Sequence, residues 1–393
     1  MTMGISIKKN KNTIFEIEEA VFKILFDHTI ARRKTKFVNA LAAKTMQYDD
    51  FISLTRLAEV PYPLFFHDLS DVRKVILEYE KIVYFGVSKE QMSIASRGEI
   101  KLADIALVLK DITRKQSFIK KYISDENELA GMFNRSKASM VERAEALRVL
   151  LGYDLDIVEH NSKEKTYELL SDELSKKNVF ISLYAHNYTP QSIERDLQFS
   201  GIAINDKKCP FLFIKAGDNH SKIELWGRRL FTAALLLSCL CSGDCGPLTM
   251  DGTSGDLTND KHYLFAEEFL MPEARFNKES LMSLGDANNI ASKYSVSNSA
   301  VIMRAFRLGM IEEHAKDRYL TKLRADWGAL SRKKGGGQQL GLIKAINRYN
   351  NPAVVRLIID KVHSSDIGVR EARNLLCYKK GDSFNIGALE AHV

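Results

Sequence analysis

One stretch decides how the fold of this chain is interpreted: Arg229-Leu230-Phe231-Thr232-Ala233-Ala234-Leu235-Leu236-Leu237-Ser238-Cys239. Together with Leu240 and Cys241 it forms the most apolar run of the sequence, interrupted by Thr232 and Ser238. A run of roughly a dozen residues suits a buried helix, whereas a membrane span needs ~20 apolar residues. The stretch therefore predicts a long apolar helix inside a protein that does not cross a membrane.

A small sheet is predicted just before this helix. Its three strands are rich in β-branched and aromatic residues and cover Val179–Leu183, Ser200–Ile204 and Phe211–Ile214. Residues 242–258 are rich in Gly, Ser, Thr and Asp and predict a loop, after which helices resume at about Asp260. A short sheet followed by helices indicates an α+β fold that is mostly helical.

The flanking regions are predicted to be helical. Apolar residues recur at three- and four-residue spacing from residue 13, which predicts helices up to about residue 60, before Pro61 (Ile14, Ile17, Val21, Ile24 and Leu25). Further helices are expected at Asp104–Tyr122, Leu342–Ile346, Pro352–Val362 and Val369–Leu376. The predicted division is a helical region at 1–145, a central domain at 146–314, and a basic linker with a small helical region at 315–393.

Composition sets limits on the class of protein. Lys and Arg number 57 against 50 Asp and Glu, a net charge of +7, which is compatible with nucleic-acid binding without requiring it. The five cysteines are an odd number, and three of them fall in one short segment, so no disulfide framework is indicated. The first residues lack the apolar core of a secretory signal. We expect a cytoplasmic, reduced protein.

Three motifs in the central region occur in the order found in one family. The Arg229–Cys239 stretch resembles the active-site helix of the ImmA/IrrE metallopeptidases, in which an Arg/Phe/Thr lead-in precedes H-E-x-x-H. Leu264-Phe265-Ala266-Glu267-Glu268-Phe269-Leu270-Met271-Pro272 is similar to the second signature of the family. Ala291–Ser297, with Ala300, Val301 and Arg304, resembles its short helix-turn-helix. The likeness spans roughly residues 165–311 and implies a gluzincin-like peptidase domain.

Weaker likeness extends outward to the regulator-fused long form of that family. It rests on Leu57–Pro61, Leu64–Phe66, Arg114–Gln116, Gly335–Gly337 and Arg370–Ala372 with Leu375 and Leu376. Such fusions carry a repressor-like N-terminal part and a connector, which this resemblance places within residues 1–145. It implies a prokaryotic protein of the kind common in phages and mobile elements.

Carried over residue by residue, the zinc site of the family is missing. Its first His falls on Leu235, its catalytic Glu on Leu236, its second His on Cys239 and its third-ligand Glu on Asn259. Zinc hydrolysis needs two imidazoles one helical turn apart, a third ligand and a carboxylate that takes a proton from bound water. None of the first three positions supplies the required group, and although Asp260 could replace Asn259 under a slip of one residue, one carboxylate does not hold zinc. No register slip restores the site, because no two of the nine histidines are within five residues of each other.

The replacements convert a polar face into an apolar one, which either packs shut as core or forms a groove for a partner. Packing shut is the favoured interpretation. Cys239, Cys241 and Cys245 lack the paired spacing of a structural zinc site, so buried thiols are the simpler interpretation. His186, His220 and His262 are expected to be surface or hydrogen-bonded histidines. We expect no catalytic residue, no metal ligand and no cofactor.

Three segments are candidates for contact with DNA. Gly86–Gly98 has the pattern of a recognition helix but carries only Lys89 and Arg97 as basic side chains. The second helix of the Ala291–Gly309 segment, capped by Ser297, presents Asn298, Arg304 and Arg307, although packing is the favoured role for this segment. Residues 315–334 hold seven basic residues against two acidic ones, including Lys333 and Lys334, and are either a solvated linker or a phosphate-contacting arm.

The sequence thus predicts a catalytically inactive, metallopeptidase-like regulatory protein. The resemblance implies that it acts by binding DNA or a protein partner of the same genetic element, as a transcriptional regulator or an antitoxin-like factor. The alternative is a protease of altered chemistry that uses Cys239 or an unusual metal.

Overall fold

A computed structural model of the chain describes residues 4–58, 60–83, 105–134, 136–185, 188–191, 193, 200–215, 225–244, 247–248, 260–332, 341–378 and 384–392. These residues form two compact units. The first comprises residues 4–83 with 105–115 and 189–193, excluding residues 59 and 192, and the second comprises the remaining described residues from 116 onward.

The first unit packs helices on a three-stranded mixed sheet. The strands are β1 (Gly4–Lys9), β2 (Asn12–Glu18) and β3 (Thr45–Gln47), in the order β2-β1-β3, with β1 antiparallel to β2 and parallel to β3. The helices are α1 (Glu19–Asp27), α2 (Thr35–Ala42), α3 (Tyr48–Ala58), α4 (Leu69–Val83) and the first part of α5 (Ala106–Ile119), with 3-10 turns at Ile30–Arg33 and Tyr62–Phe66.

This sheet corrects the prediction that residues 13–60 are helical throughout. Ile17 is buried in the core while Ile14 is 48% exposed, which is the alternation of a strand with one buried face. The helical spacing was misleading because it continues across the junction where β2 passes directly into α1 at Glu19. Thr45–Gln47 was also predicted as helix, but its three residues pair in parallel with β1.

The second unit contains the predicted central sheet and most of the helices. Its strands β4 (Phe180–Leu183), β5 (Gly201–Ile204), β6 (Phe211–Ile214) and β7 (Pro247–Leu248) lie in the order β4-β6-β5-β7. After α5 the helices are α6 (Met140–Leu150), α7 (Leu155–Glu159), α8 (Lys163–Lys176), α9 (Leu225–Cys241), α10 (Lys261–Leu270), α11 (Glu273–Phe276), α12 (Leu284–Lys293), α13 (Asn298–Arg307), α14 (Glu313–Arg332), α15 (Leu342–Asn350), α16 (Pro352–His363), α17 (Val369–Leu375) and α18 (Ile386–Glu390). The α+β prediction is confirmed, as are the three predicted central strands.

Helix α9 is the centre of this unit. It packs against β5 and β6 on one side and against α8 and α10 on the others. Every residue from Arg229 to Cys241 is buried. A helix that is apolar on all sides needs neighbours on all sides, and the apolar run from Leu230 to Cys241 meets that condition.

The C-terminal helices complete the cover of the sheet. Helix α15 packs on β4, where the Ser182 hydroxyl donates a hydrogen bond to the carbonyl oxygen of Tyr349. Asn351, which has a φ of 70°, begins α16 and donates from Nδ2 to the carbonyl oxygen of Ile181 at 3.3 Å. The predicted division of the chain at residues 145 and 315 stays a prediction.

Gly227 in the first turn of α9 provides a test of this packing. A Cβ atom there would lie 2.5 Å from the carbonyl carbon of Val296 and 2.6 Å from its oxygen, both backbone atoms. We expect Gly227→Ala to lower the free energy of unfolding by about 3 kcal/mol, because backbone cannot move aside as a side chain can. Urea unfolding followed by circular dichroism measures the loss.

Gly285 in the exposed first turn of α12 is the matched control. The nearest atom to an added Cβ is the Ser283 hydroxyl oxygen, at 3.4 Å. Gly285→Ala should leave stability unchanged or raise it by up to ~1 kcal/mol through helix propensity. Equal effects at the two glycines would show that α9 does not approach Val296 this closely.

Candidate functional site

Three of the four positions matched to zinc ligands and the catalytic base lie in α9, in the core of the second unit. Leu235 is 4% exposed, Leu236 is 0% exposed and Cys239 is 3% exposed. Leu236 faces β5, where a Cβ on Gly201 would lie 2.9 Å from its Cδ1 atom. All three side chains are therefore buried in the core of the second unit, and Leu236 packs against the sheet.

Other predicted residues lie outside the described part of the chain. These are the fourth position, Asn259, the basic residues Lys333 and Lys334, the segment Gly86–Gly98, and Cys245, His186 and His220. Asp260, which a slip of one residue would place at the third-ligand position, is described. Its carboxylate accepts hydrogen bonds from the backbone N–H groups of His262 at 2.9 Å and Tyr263 at 3.0 Å, which caps the start of α10.

The thiols of α9 are unsuited to nucleophilic chemistry in this environment. Cys239 and its neighbour Cys241 are both buried. Burial in the apolar core raises the pKa of the Cys241 thiol well above its usual range, because the thiolate would be desolvated. His262 lies within hydrogen-bond distance of Ser238, the residue that precedes Cys239.

That contact belongs to a chain of three polar side chains that sequence reasoning did not find. His262 Nδ1 lies 3.0 Å from the Ser238 hydroxyl oxygen, and its Nε2 lies 3.1 Å from Asp244 Oδ2. Lys261 also contacts Asp244 through Nζ. The three residues are separated by 6 to 24 positions in sequence, so only the packing of α10 on the end of α9 brings them together.

The Ser-His-Asp composition is that of a hydrolase triad, but the surroundings differ. Ser238 is in the middle of a helix turn and 3% exposed, so a substrate carbonyl has no path to its hydroxyl. Burial lowers the pKa of His262, opposed by the charges of Asp260 and Asp244, and favours the neutral ring. The arrangement joins the end of α9 to the start of α10, and the prediction of a hydrogen-bonded His262 is confirmed.

A second polar cluster joins α10 to α13. Arg304 pairs with Glu268 and Arg307 pairs with Glu267, while Arg304 Nε donates to the carbonyl oxygen of Met271 at 3.2 Å. Glu267 is 0% exposed, Glu268 4% and Arg304 5%. We call these four charged residues the buried ion-pair cluster. Two positive and two negative charges balance there, as removal from water requires.

Two of the predicted DNA contacts, Arg304 and Arg307, belong to the buried ion-pair cluster. The structure confirms the helix pair α12–α13 and the Ser297 cap, whose hydroxyl accepts from the N–H of Ala300. Arg304 and Arg307, however, point into the protein, and the Arg307 guanidinium stacks 4.5 Å from the Tyr263 ring centre. Neither guanidinium is presented to DNA. Asn298, at the first turn of α13, is half-buried.

Glu267 makes the stability of the protein depend on pH. Burial raises the pKa of its carboxyl to about 7, against the attraction of Arg307. Between about pH 4.5 and 7 the folded state therefore holds a proton that the unfolded chain has released. The contribution of Glu267 to the free energy of unfolding should fall by on the order of 1–3 kcal/mol as the pH rises through this window, and stay constant above it.

Comparison of Glu267→Gln with the unmodified protein isolates this effect. The amide cannot titrate, so we expect its free energy of unfolding to lack the fall between pH 5 and 7. Urea unfolding of both proteins at pH 5, 6, 7 and 8 measures the difference. If the free energies of unfolding of the two proteins change in parallel with pH across this range, Glu267 is already ionised at pH 5.

The described part of the basic segment, residues 315–332, is helical. It forms most of α14, on which Lys316 pairs with Glu313 and Asp317, both at 3.3 Å. Arg318 and Lys322 are exposed and lie one helical turn apart on the same face. The cations of this face, unlike Arg304 and Arg307, reach solvent.

No family model matches the chain, and no curated protein matches it. Within the described ranges, no three or more His, Cys, Asp or Glu side chains are grouped as they would be to hold a metal ion. None of the described helices has the length and apolar character needed to cross a bilayer. The described residues form an α+β fold in which the apolar helix α9 is buried in the core of the second unit.

Proposed function

We propose that this protein is a catalytically inactive, gluzincin-like relative of the ImmA/IrrE peptidases that regulates by binding. The observation that carries the proposal is the burial of Leu235, Leu236 and Cys239 in α9, with Leu236 against β5. A peptidase needs an open, wet cleft at these positions, and here they supply packing surface. The order of elements supports the assignment, with three strands followed by an apolar helix, a second helix and a short helix pair.

For the binding partner we propose DNA, contacted through α14. Arg318 and Lys322 offer two exposed cations on one face, whereas Arg304 and Arg307 are held in the buried ion-pair cluster. Contacts of this type neutralise phosphates, so affinity should fall steeply with salt. A protein partner from the same genetic element is the alternative, with binding that depends less on salt.

Gel-shift titrations with the promoter DNA of the protein's own gene at 50 and 200 mM salt test this role. We expect the double variant Arg318→Ala/Lys322→Ala to weaken binding. The slope of log affinity against log salt concentration should become shallower by the share of about two phosphate contacts. Arg370→Ala, at an exposed position on α17, is the control. No binding at 50 mM salt would exclude the DNA proposal, and capture of a neighbouring gene product would then identify the partner.

The enzymatic alternative is tested separately. Purified protein should contain less than one zinc per ten chains and should not cleave unfolded protein substrates. A peptidase activity lost in Cys239→Ala or restored by added metal would overturn the proposal of an inactive relative.

A further inference from the structure

Helix α3 lines a cavity of about 520 Å³ in the first unit. The described lining residues all come from one face of that helix (Tyr48, Asp49, Ile52, Ser53 and Arg56). A cavity of this size is within the range that holds a small molecule or one nucleotide of a longer strand. An aromatic ring, a hydroxyl group, an aliphatic side chain and one group of each charge are thus gathered around it.

The two charged side chains of this cavity have no partner within the described part of the chain. Asp49 and Arg56 are both exposed, and neither side chain makes an ion pair or a hydrogen bond with a described residue. The neighbouring Asp50 differs, because its carboxylate pairs with Lys36 at 3.2 Å. A ligand can therefore bind Asp49 and Arg56 without first breaking a contact inside the described structure.

The turn between β1 and β2 adds positive charge at the start of α3. Gln47, the residue before α3, donates from Nε2 to the carbonyl oxygen of Asn10 in that turn at 3.4 Å. Lys9 and Lys11 flank Asn10, and both are exposed without an ion pair to any described residue. Arg56 lies ~12 Å along the helix axis from the first residue of α3. Cations therefore lie near both ends of this helix face.

Tyr48 gives the cavity a flat aromatic surface. Its ring is half-buried and contacts the Phe15 ring edge to face, with the ring centres 6.4 Å apart. That contact limits the rotation of the Tyr48 side chain and leaves part of its ring exposed at the cavity. A nucleic-acid base stacks on such a ring where it is free of duplex neighbours, as in a single strand.

We propose that this face of α3 binds a single-stranded nucleic acid, with one base stacked on Tyr48 and the phosphates contacted by Arg56 and the two lysines of the hairpin turn. Three cations against one carboxylate favour a polyanion. The Asp49 carboxylate accepts hydrogen bonds and donates none, so it favours a base with an exocyclic amino group, such as cytosine, over thymine. The site belongs to the first unit, and this inference does not depend on the DNA contact proposed for α14.

Fluorescence anisotropy of labelled oligonucleotides tests the site on the full chain. The probes are oligo-dC, oligo-rC, oligo-dT and a duplex, all of the same length, at pH 8 and 50 mM salt. The parent protein is the Arg318→Ala/Lys322→Ala variant, so that contacts through α14 do not contribute. We expect both cytosine strands to bind more tightly than the duplex, and oligo-dC to bind about fivefold more tightly than oligo-dT. The tighter of oligo-dC and oligo-rC identifies the sugar of the preferred strand.

Variants of the lining residues assign the parts of the site. Arg56→Ala should weaken oligo-dC binding by at least about fivefold and make the slope of log affinity against log salt concentration shallower by about 0.7, the share of one phosphate. Tyr48→Ala should weaken binding about tenfold, whereas Tyr48→Phe keeps the ring and most of the affinity. Asp49→Asn should remove the preference for cytosine over thymine, since an amide donates as well as accepts. Lys74→Ala, which removes an exposed cation paired with Asp71 in the same unit, is the control and should bind as its parent does.

Three results would overturn the proposal. The first is a duplex that binds as tightly as the cytosine strands. The second is free CMP that competes as well as oligo-dC does at equal nucleotide concentration, which would assign the cavity to a small ligand. The third is the affinity of the parent in Arg56→Ala together with an unchanged base preference in Asp49→Asn. These two substitutions are at exposed positions, and melting temperatures equal to that of the parent show that the variants are folded.

Discussion

Leu236→Glu should destabilise this protein by more than about 4 kcal/mol, enough to leave much of the chain unfolded at 25 °C. The substitution places a carboxylate where the H-E-x-x-H signature that α9 resembles carries one, at a position that is 0% exposed and faces Gly201 of β5. The new charge would have no described cation beside it and no water, so folding would require either protonation or displacement of the sheet.

The control for this prediction keeps the volume and changes the shape. Leu236→Met should cost less than about 1.5 kcal/mol, because methionine fills the same space without a polar atom. Urea unfolding by circular dichroism compares both variants with the parent. A Leu236→Glu protein as stable as the parent would show that a polar cleft survives at α9, and it would contradict the proposal of an inactive relative.

Arg304→Met should cost about 3–5 kcal/mol, the second large effect we expect. It leaves the Glu268 carboxylate buried without its partner and removes the donor to the Met271 carbonyl oxygen. Glu268→Met should cost a similar amount, since it leaves the Arg304 charge buried.

The double substitution distinguishes a charge effect from lost packing. Arg304→Met/Glu268→Met removes one charge of each sign and keeps the balanced pair of Arg307 and Glu267. We expect it to be less destabilising than the sum of the single changes by more than about 2 kcal/mol. Lys176→Met, at a pair whose lysine side chain is 66% exposed, should cost under about 1 kcal/mol. Strictly additive single changes would refute the charge interpretation.

The second unit was largely predictable because its signals are local. The strands at 180–183, 201–204 and 211–214 are short runs of β-branched and aromatic residues, and α9 follows from its apolar run, which only Thr232 and Ser238 interrupt. The first unit was not predictable in the same way. Ile14 and Ile17 fit a helical spacing with Val21, and the three-residue strand β3 depends on pairing with residues about 40 positions earlier.

The polar side-chain arrangements also differ in whether the local sequence predicts them. The mismatch between α9 and the H-E-x-x-H signature that it resembles can be read from the sequence of α9 itself, and the capping role of Ser297 from its place before a helix. Ser238, His262 and Asp244 carry no shared motif, and they meet because α10 returns along α9. The sequence favours a packing role for the helix of Arg304 and leaves Arg304 a candidate DNA contact, because nothing in that helix shows that Glu268 of α10 lies opposite.

The cover that α15 places over β4 has a consequence for synthesis of the chain. Ser182 of strand β4 is made 167 residues before Tyr349, which accepts its hydrogen bond. While the ribosome translates the intervening segment, α15 has not yet been made. The side of the sheet that α15 covers then exposes apolar surface to chaperones. A chain terminated before residue 341 would keep all of α9 and α10 and still carry that exposed strand. Such truncated products should be prone to aggregate and to be degraded, although they retain all of α9 and α10.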